Sequence, residues 1–344
     1  YSSMRINTHT SALGKIVEDA RGKLWIRTPE MGLFSFDKKT EKFKKMNFNL
    51  VNISNVIVDK RRNILWICGL GIIYEYLIDA GEMIYYNLPY SEPVLTIDFV
   101  CNKIVTSNHS WNFKYKKDNK IVMAQPYTLF DTKIRSLSCS LYSDDYLWIG
   151  SLHNGLMLYD NKRHTLKNII YDKNDAKSIS NNDIHELFKD KSGNIWIGTS
   201  DGLNRFEGVG NPFQNYMIED GLLSNNVISL MEDNNGTLWI GGYDGLGKKE
   251  KGSTHISSYS SVLCDGKKYD ISNIRDIVKD SKGNVWLGKK ERIFVYTTDR
   301  KYKTISLPYK HEGNLELLSM FVDGDSLLWI GTYGNGLYKV PKFK

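Results

Sequence analysis

A short phrase built around a tryptophan returns at a near-constant interval along the whole chain. The phrase is Asp-x-x-Gly, followed after two residues by Trp-Ile-Gly or Trp-Leu-Gly, and it is clearest around Trp196, Trp239 and Trp286. Successive tryptophans in this slot are 41 to 48 residues apart, except for one interval of 82 residues, which equals two periods. A fixed period of this length is typical of repeat architectures, in which each repeat is one supersecondary unit.

The long interval hides one further repeat. Its strand-like segments lie between Val94 and Met123, with Ile104 in the tryptophan slot, whereas Trp111 belongs to the following strand and is out of register. We therefore count eight repeats over residues 1–344, centred on Trp25, Trp66, Ile104, Trp148, Trp196, Trp239, Trp286 and Trp329.

Each repeat predicts short β-strands. Around Trp239, a strand ending at Glu232 is followed by the turn Asp233–Gly236, the tryptophan strand, a loop and a third strand. Four strands per repeat and the absence of helical periodicity predict an all-β fold, a single β-propeller of four-stranded blades. Eight blades are preferred and seven are the alternative. A tryptophan in every blade would fill the gap between neighbouring blades.

Closure of the propeller is also predicted. The segment after Trp329 supplies only three strands of the last blade, and the chain begins with the spare strand Ser3-Met-Arg-Ile-Asn7. We expect this N-terminal strand to complete the last blade, because an open sheet edge would invite aggregation.

Charge and composition limit the partners. The net charge is +7, but the lysines are scattered through turns rather than gathered into the basic stripe of a nucleic-acid interface, so no nucleic-acid partner is expected. No apolar run has transmembrane length, so any membrane attachment would lie in other segments. The four cysteines fall in four different repeats and are expected to be unpaired, which favours a reducing, cytoplasmic location as one alternative.

Catalytic and metal motifs are weak. The Asp-x-x-Gly turns resemble calcium loops, but they lack a converging ligand set and are better explained as hairpin turns. The histidines have no paired metal spacing, and neither a nucleophile elbow nor a phosphate loop occurs. We expect no metal, no cofactor and no catalytic residues. A propeller glycoside hydrolase or lyase, with carboxylates drawn from separate blades, stays open as a third hypothesis.

The loops that follow the tryptophan strands vary while their scaffold repeats. Such tips on a rigid frame are common binding sites, since tyrosine rings stack on sugars while Asp, Asn and His bond hydroxyl groups. The predicted ligand-binding residues are His153, Asn154, Asp201, Tyr243, Asp244, Tyr333 and Asn335. They are expected on one face of the ring, with the Asp-x-x-Gly turns on the other. The competing explanation is that these are only solvated loop tips.

The repeated phrase resembles the two-component regulator propeller repeat. Beyond Trp-Ile-Gly, the resemblance rests on Gly155–Asp160, on Gly202–Phe206 and on the linker Asp220–Asn226. It implies the periplasmic sensor region of a hybrid histidine kinase, which detects an oligosaccharide or other small ligand. It also implies a homodimer formed through adjoining receptor domains. The family's sensors carry two seven-bladed rings and a β-sandwich, whereas this chain has eight repeats and no sandwich or kinase segment. A protein-interaction scaffold is the alternative function.

Overall fold

Every repeat of the sequence forms a small antiparallel sheet in the computed structural model of this chain. The structure describes residues 2–4, 16–28, 32–46, 53–89, 91, 94–98, 103–106, 109–115, 121–123, 127–128, 137–143, 145–160, 162–163, 165–207, 213–290, 292–307, 316–333 and 336–340. The chain divides into two compact units: the first comprises residues 1–135 and 329–341, and the second comprises residues 136–328 and 342–344.

The described residues of the first unit contain fourteen strands before residue 135, in addition to most of β34 (Leu328–Tyr333) and all of β35 (Leu337–Val340) near the end of the chain. The fourteen are β1 (Ser2–Met4), β2 (Ile16–Glu18), β3 (Leu24–Thr28), β4 (Gly32–Asp37), β5 (Lys42–Lys45), β6 (Asn55–Asp59), β7 (Ile64–Cys68), β8 (Ile72–Leu77), β9 (Glu82–Asn87), β10 (Val94–Asp98), β11 (Lys103–Thr106), β12 (His109–Tyr115), β13 (Ile121–Met123) and β14 (Tyr127–Thr128).

The second unit follows with nineteen strands, and two more complete the chain. They are β15 (Leu137–Ser143), β16 (Tyr146–Ser151), β17 (Leu156–Asp160), β18 (Thr165–Ile169), β19 (Ile184–Lys189), β20 (Ile195–Thr199), β21 (Gly202–Phe206), β22 (Phe213–Tyr216), β23 (Val227–Glu232), β24 (Leu238–Gly242), β25 (Leu246–Lys249), β26 (Ser257–Tyr259), β27 (Ser261–Cys264), β28 (Lys267–Asp270), β29 (Ile274–Lys279), β30 (Val285–Lys289), β31 (Arg292–Tyr296), β32 (Tyr302–Ser306), β33 (Glu316–Val322), β34 (Leu328–Tyr333) and β35 (Leu337–Val340).

The sheets have the layout of propeller blades. Seven are four-stranded, with the orders β2-β3-β4-β5, β6-β7-β8-β9, β15-β16-β17-β18, β19-β20-β21-β22, β23-β24-β25-β26, β29-β30-β31-β32 and β1-β35-β34-β33. The predicted all-β propeller of four-stranded blades is confirmed. The seven four-stranded blades match the number that the sequence analysis gave as its alternative to the preferred eight. The one helical element in the described residues is a single 3₁₀ turn, Ile218–Asp220.

The repeat around Ile104 departs from the other seven. Ile104 lies on β11, the second strand of its sheet, opposite Trp111 on β12. This sheet has five strands, because β13 pairs with Phe113–Tyr115 while β14 pairs with His109–Ser110. The position of the fourth strand is thus divided between two short strands.

The N-terminal strand closes the last blade, as predicted. β1 runs antiparallel to β35, with Ser2 opposite Lys339 and Met4 opposite Leu337. The backbone edge of β35 is therefore paired rather than left open.

The tryptophans form the core, as the repeat predicts. All seven in the tryptophan slot are at most 4% exposed. In each unit, a tryptophan packs on an aromatic ring in the third strand of an adjacent sheet: Trp25 lies 5.5 Å from Tyr76, and Trp148 lies 4.8 Å from Phe206. Trp239 is likewise 5.2 Å from Tyr296. These edge-to-face and tilted contacts are geometries that aromatic pairs prefer.

The glycine after Trp-Ile sets how closely the sheets of the second unit approach. A Cβ atom built on Gly198 would lie 2.9 Å from Val227, the first residue of the next sheet. A Cβ atom built on the equivalent glycine of the other repeats would likewise lie close to a side chain of the next sheet. The pairs are Gly150 with Ile184, Gly241 with Ile274 and Gly288 with Leu317. In the first unit this position holds Arg27 and Cys68 in the repeats around Trp25 and Trp66, whereas the repeat around Trp329 keeps Gly331.

Candidate ligand-binding loops

The Asp-x-x-Gly turns lie at one end of their sheets and are held by a repeated hydrogen-bond pattern. One carboxylate oxygen of Asp233 accepts hydrogen bonds from the backbone N–H groups of Asn235 and Thr237, at 2.8 and 3.0 Å. The other accepts the indole N–H of Trp239 at 2.9 Å. The same indole contact recurs in the pairs Trp25–Asp19, Trp196–Asp190 and Trp286–Asp280.

These contacts explain the repeated aspartate without a metal ion. Its oxygens are engaged by the turn and by the tryptophan, so it fixes the hairpin to the core. The glycine that ends each turn has a positive φ, for example 82° at Gly236, a conformation that costs other residues. Across the described residues, no group of three or more His, Cys, Asp or Glu side chains is placed to hold a metal ion. The turns are structural hairpins.

The loops after the tryptophan strands lie at the opposite end of the same sheets. β24 runs from Leu238, beside the Asp233 turn, to Gly242, beside the loop Tyr243–Asp244. The linkers that join consecutive sheets begin and end at this same end, because each sheet has four antiparallel strands. We call this the loop end of the second unit, and the opposite end, with the Asp-x-x-Gly turns, the turn end.

Each predicted loop is tied to the linker that leads to the next sheet. The backbone N–H of His153 donates to Asp183 at 2.7 Å, and its Nδ1 lies 2.8 Å from the same carboxylate. Asp201 accepts a hydrogen bond from the side-chain amide of Asn225 at 2.9 Å.

The third loop follows the same rule. Tyr243 donates its N–H to the carbonyl of Asn226 and accepts the N–H of Asn273, at 3.2 and 2.6 Å. The loop tips are therefore positioned by the scaffold.

Exposed apolar side chains gather at the loop end of the second unit. In the three consecutive sheets from β15 to β26 they lie in the loops and linkers, apart from Tyr259 at the end of β26, and the described residues of the turn end contain no exposed large hydrophobic residue. Those at the loop end are Leu152, Ile170, Tyr171, Ile218, Leu223, Tyr243 and Tyr259. Clustered exposed apolar groups with a polar surround are typical of interaction sites.

The predicted site residues fall into three groups. His153, Asn154, Asp201, Tyr243 and Asp244 are all exposed at the loop end of the second unit. Tyr333 is 51% exposed at the end of β34 in the first unit. Asn335 lies outside the described residues. Their joint role in ligand binding remains a prediction.

Comparison with known proteins identifies the repeat. The family described as "Two component regulator propeller" matches residues 178–201 and 221–244. These two segments are two-component regulator propeller repeats. Each matched repeat includes a linker, a first strand, an Asp-x-x-Gly turn, a tryptophan strand and the start of the following loop.

Similar proteins come from bacterial signalling systems and from design. The chain is 29% identical over 298 residues to histidine kinase P4 of Formosa agariphila, covering 80% of this chain but 21% of the kinase. It superposes with a TM-score of 0.63 on an extracellular domain of B. thetaiotaomicron that is assigned to the hybrid two component system BT4673. That match has 19% identity and covers all of this chain and 40% of the other.

A computationally designed protein, Ika8, gives a TM-score of 0.64 at 13% identity, with 97% of both chains covered. At these identities the solved structures show that the fold is shared. The chain spans about a fifth of the kinase and two fifths of the extracellular domain. Among the described residues, no helix combines the length and apolar character needed to cross a membrane.

The sequence analysis missed two acidic residues on first strands of propeller repeats. Glu186 on β19 and Asp276 on β29 both follow a β-bulge, and each stands ten residues before the tryptophan of its repeat. Burial raises the pKa of Glu186 to about 7, with a further contribution from the charge of Asp276. Burial also raises the pKa of Asp276 to about 6, although its carboxylate accepts the N–H of Met320 at 2.6 Å.

These acids could have been found from their position. The first strands β15, β19, β23, β29 and β33 lie side by side in the second unit. The equivalent residues on β15 and β23 are Cys139 and Ser229. The slot therefore holds a small residue on β15 and β23 and an acidic residue on β19 and β29.

A polar cleft of about 350 Å³ opens at the turn end between the second and third sheets of the second unit. Three of the carboxylates that line it are engaged: Asp190 holds Trp196, Glu207 pairs with Arg205, and Glu232 accepts the N–H of Lys191. Burial tends to raise the pKa of Asp190, but hydrogen bonds from Asn194 and Trp196 outweigh it and lower that pKa.

Proposed function

We propose that this chain is the ligand-binding propeller of a two-component receptor, that it works in the periplasm, and that the loop end of the second unit binds an oligosaccharide. The observation that carries the proposal is the placement of exposed aromatic and hydrogen-bonding groups at one end of three consecutive sheets. The two-component regulator repeats and the extracellular assignment of a similar structure support the receptor context.

The geometry suits recognition of a sugar rather than its conversion. Tyr243 is 58% exposed, so a ring face is available for stacking, while its backbone is fixed on both sides by Asn226 and Asn273. Asp201 and His153 supply hydrogen-bonding groups from the two preceding loops. Anchored loops lose little conformational entropy on binding, which favours affinity. The chain acts here as a non-catalytic module.

A protein partner is the second candidate, and a specific observation favours it. Ile170, Ile218 and Leu223 are exposed aliphatic residues at the loop end, where they offer no hydrogen bonds to a sugar. Aliphatic side chains of this kind would suit the apolar centre of a protein interface. Under this alternative the propeller would be an interaction scaffold.

The deciding experiment is a screen of plant and host polysaccharide fragments on a glycan array, followed by calorimetry. Tyr243→Ala should weaken binding of a captured saccharide about tenfold, which corresponds to about 1.4 kcal/mol. The same change should alter the free energy of unfolding by less than about 0.5 kcal/mol, since an exposed tip contributes little to the core.

Tyr85→Ala is the matched control, because Tyr85 is 63% exposed on the outer strand β9 of the first unit. Equal weakening by both variants would place the saccharide elsewhere. A stable protein complex, sensitive to Ile218→Ser and formed without any saccharide binding, would support the scaffold instead.

A further inference from the structure

A basic groove lies at the outer edge of the sheet β29-β30-β31-β32, in the second unit. It runs between the hairpin β27-β28 and the turn that joins β31 to β32, and it encloses about 760 Å³. This volume is within the range of sites that bind small ligands. The hairpin is an addition to the repeat, since the described residues of the other linkers of the second unit contain no two-stranded sheet of their own.

Aromatic and apolar side chains line the groove. Tyr259 is 40% exposed and Leu263 is 66% exposed, and both come from the hairpin side. Tyr302 lines the opposite wall, and its buried hydroxyl has no hydrogen-bond partner among the described residues. A buried hydroxyl without a partner is costly, so a ligand that bonds it would gain.

Positive charge surrounds this apolar surface. Lys268, Arg300, Lys301 and Lys303 line the groove, against a single carboxylate, that of Asp265. Lys301 is paired with Asp299 at 3.3 Å. Lys268 and Arg300, in contrast, have no carboxylate within 4 Å in the part of the chain that the structure describes.

A further ammonium group lies among the same tyrosine rings. Nζ of Lys248 is 5.4 Å from the ring of Tyr259 and 5.2 Å from the ring of Tyr302. It also lies 4.0 Å from the ring of Trp239 and 3.8 Å from that of Tyr296. Its charge adds to the positive potential of the groove.

We propose that this groove binds a segment of a polyuronate chain, with its carboxylates on Lys268 and Arg300 and a sugar face on Tyr259. The groove is a second site, because it extends from Tyr259, the last residue of β26, to the turn between β31 and β32, and does not include the loops after the tryptophan strands. Two unpaired cations across a groove of this length match a polymer with one carboxylate per sugar ring. A heavily sulfated glycan would bring more charge than these two cations neutralise. The guanidinium of Arg300 can hold a carboxylate through two parallel hydrogen bonds.

An acidic peptide fits the groove less well. A peptide added to the edge of a sheet gains most of its affinity from backbone hydrogen bonds to the outer strand. Here the outer strand is β32, and β27 lies against it. A ligand in the groove must therefore be recognised through side chains, as a sugar chain is.

The test compares two forms of one saccharide on the full chain. Isothermal calorimetry with a short oligogalacturonate and with its fully methyl-esterified form changes only the charge of the ligand. The free acid should bind at least tenfold more tightly than the ester, and its affinity should fall as salt is raised, because the attraction is between exposed charges. Lys268→Ala/Arg300→Ala should weaken the free acid at least tenfold.

The control is Lys167→Ala/Lys173→Ala, which removes the same charge from two exposed lysines of the second unit. This control should retain binding, and Tyr243→Ala should retain it too. Loss of binding in Tyr243→Ala would instead show that the uronate binds at the loop end. Equal affinity for acid and ester, equal weakening by both double variants, or no binding of the acid would overturn the proposal. Tighter binding of a sulfated saccharide would overturn the assignment to uronate.

Discussion

The two ends of the sheets in the second unit have diverged from one another. At the turn end, Asp190, Asp233 and Asp280 repeat the same bonds to a tryptophan and to the turn backbone. At the loop end, the loops carry His153, Asp201 and Tyr243, and these three residues contact the linkers through different groups.

This difference shows where the repeat is constrained by packing. The turn-end aspartate has the same geometric task in the repeats around Trp196, Trp239 and Trp286, because it holds both the indole and the turn backbone. A loop tip needs only to be anchored to the next linker, and a backbone or side-chain hydrogen bond of several kinds achieves this. The loop end is consequently free to acquire binding residues without loss of the scaffold.

The largest effect on stability is expected in the tryptophan core, which supports both the turn end and the loop end. Trp239→Ala should lower the free energy of unfolding by about 3–5 kcal/mol, the range for removal of a large buried side chain. The measurement is denaturant unfolding followed by circular dichroism. Trp111→Ala should cost clearly less, because Trp111 lies outside the tryptophan slot. Equal losses would show that the repeat around Ile104 has been aligned wrongly.

The two ends can be compared directly by replacing one aspartate with alanine at each end of β24. Asp233→Ala should lower the free energy of unfolding by about 2–3 kcal/mol, because it removes an acceptor from the Trp239 indole and from two backbone N–H groups. Asp244→Ala, at the other end of β24, should change it by less than about 0.5 kcal/mol. Saccharide binding should be retained by the first variant. If the Asp244 variant were the less stable of the two, the division between the ends would be refuted.

The smallest effect concerns the first strands that run between the ends. Glu186 and Asp276 keep their protons in the folded state up to a pH at which the unfolded chain has lost them. Stability should therefore fall as pH rises from about 4.5 to about 7, by on the order of 1–3 kcal/mol.

In the double variant Glu186→Gln/Asp276→Asn, the free energy of unfolding should depend less steeply on pH over this interval. Asp190, whose pKa is lowered, acts in the opposite sense and loses its contribution only as pH falls towards and through its folded pKa. A wild-type stability that rises with pH across this interval would contradict the assignment of Glu186 and Asp276.

Much of this fold could be predicted from the residues, because the same signal occurs many times. The tryptophan period defines the sheets, and the spare N-terminal strand predicts the pairing of β1 with β35. The hairpin β27-β28 was not predicted, since it occurs once and no other repeat contains a similar segment for comparison. The divided outer strand of the Ile104 repeat was missed for the same reason.

The candidate site was predictable only in part. Loop positions follow from strand order, so Asp201 and Tyr243 could be assigned to one end of the second unit. Their anchoring to Asn225 and Asn273 depends on contacts more than twenty residues away in sequence, which no local pattern encodes. The raised pKa values of Glu186 and Asp276 likewise arise from burial, a property of the assembled strands.

The glycine after Trp-Ile has a consequence for how such a chain can change over generations. A side chain at Gly198 or Gly288 would strike Val227 or Leu317 on the first strand of the neighbouring sheet, so substitution there requires a compensating change in another repeat. Arg27 and Cys68 are held in place differently: replacement of Arg27 by glycine would lose the hydrogen bond to the Ser54 carbonyl, and replacement of the buried Cys68 would leave a cavity in the core. Neighbouring repeats therefore preserve one another's sequence, and their likeness records mutual packing more than shared function.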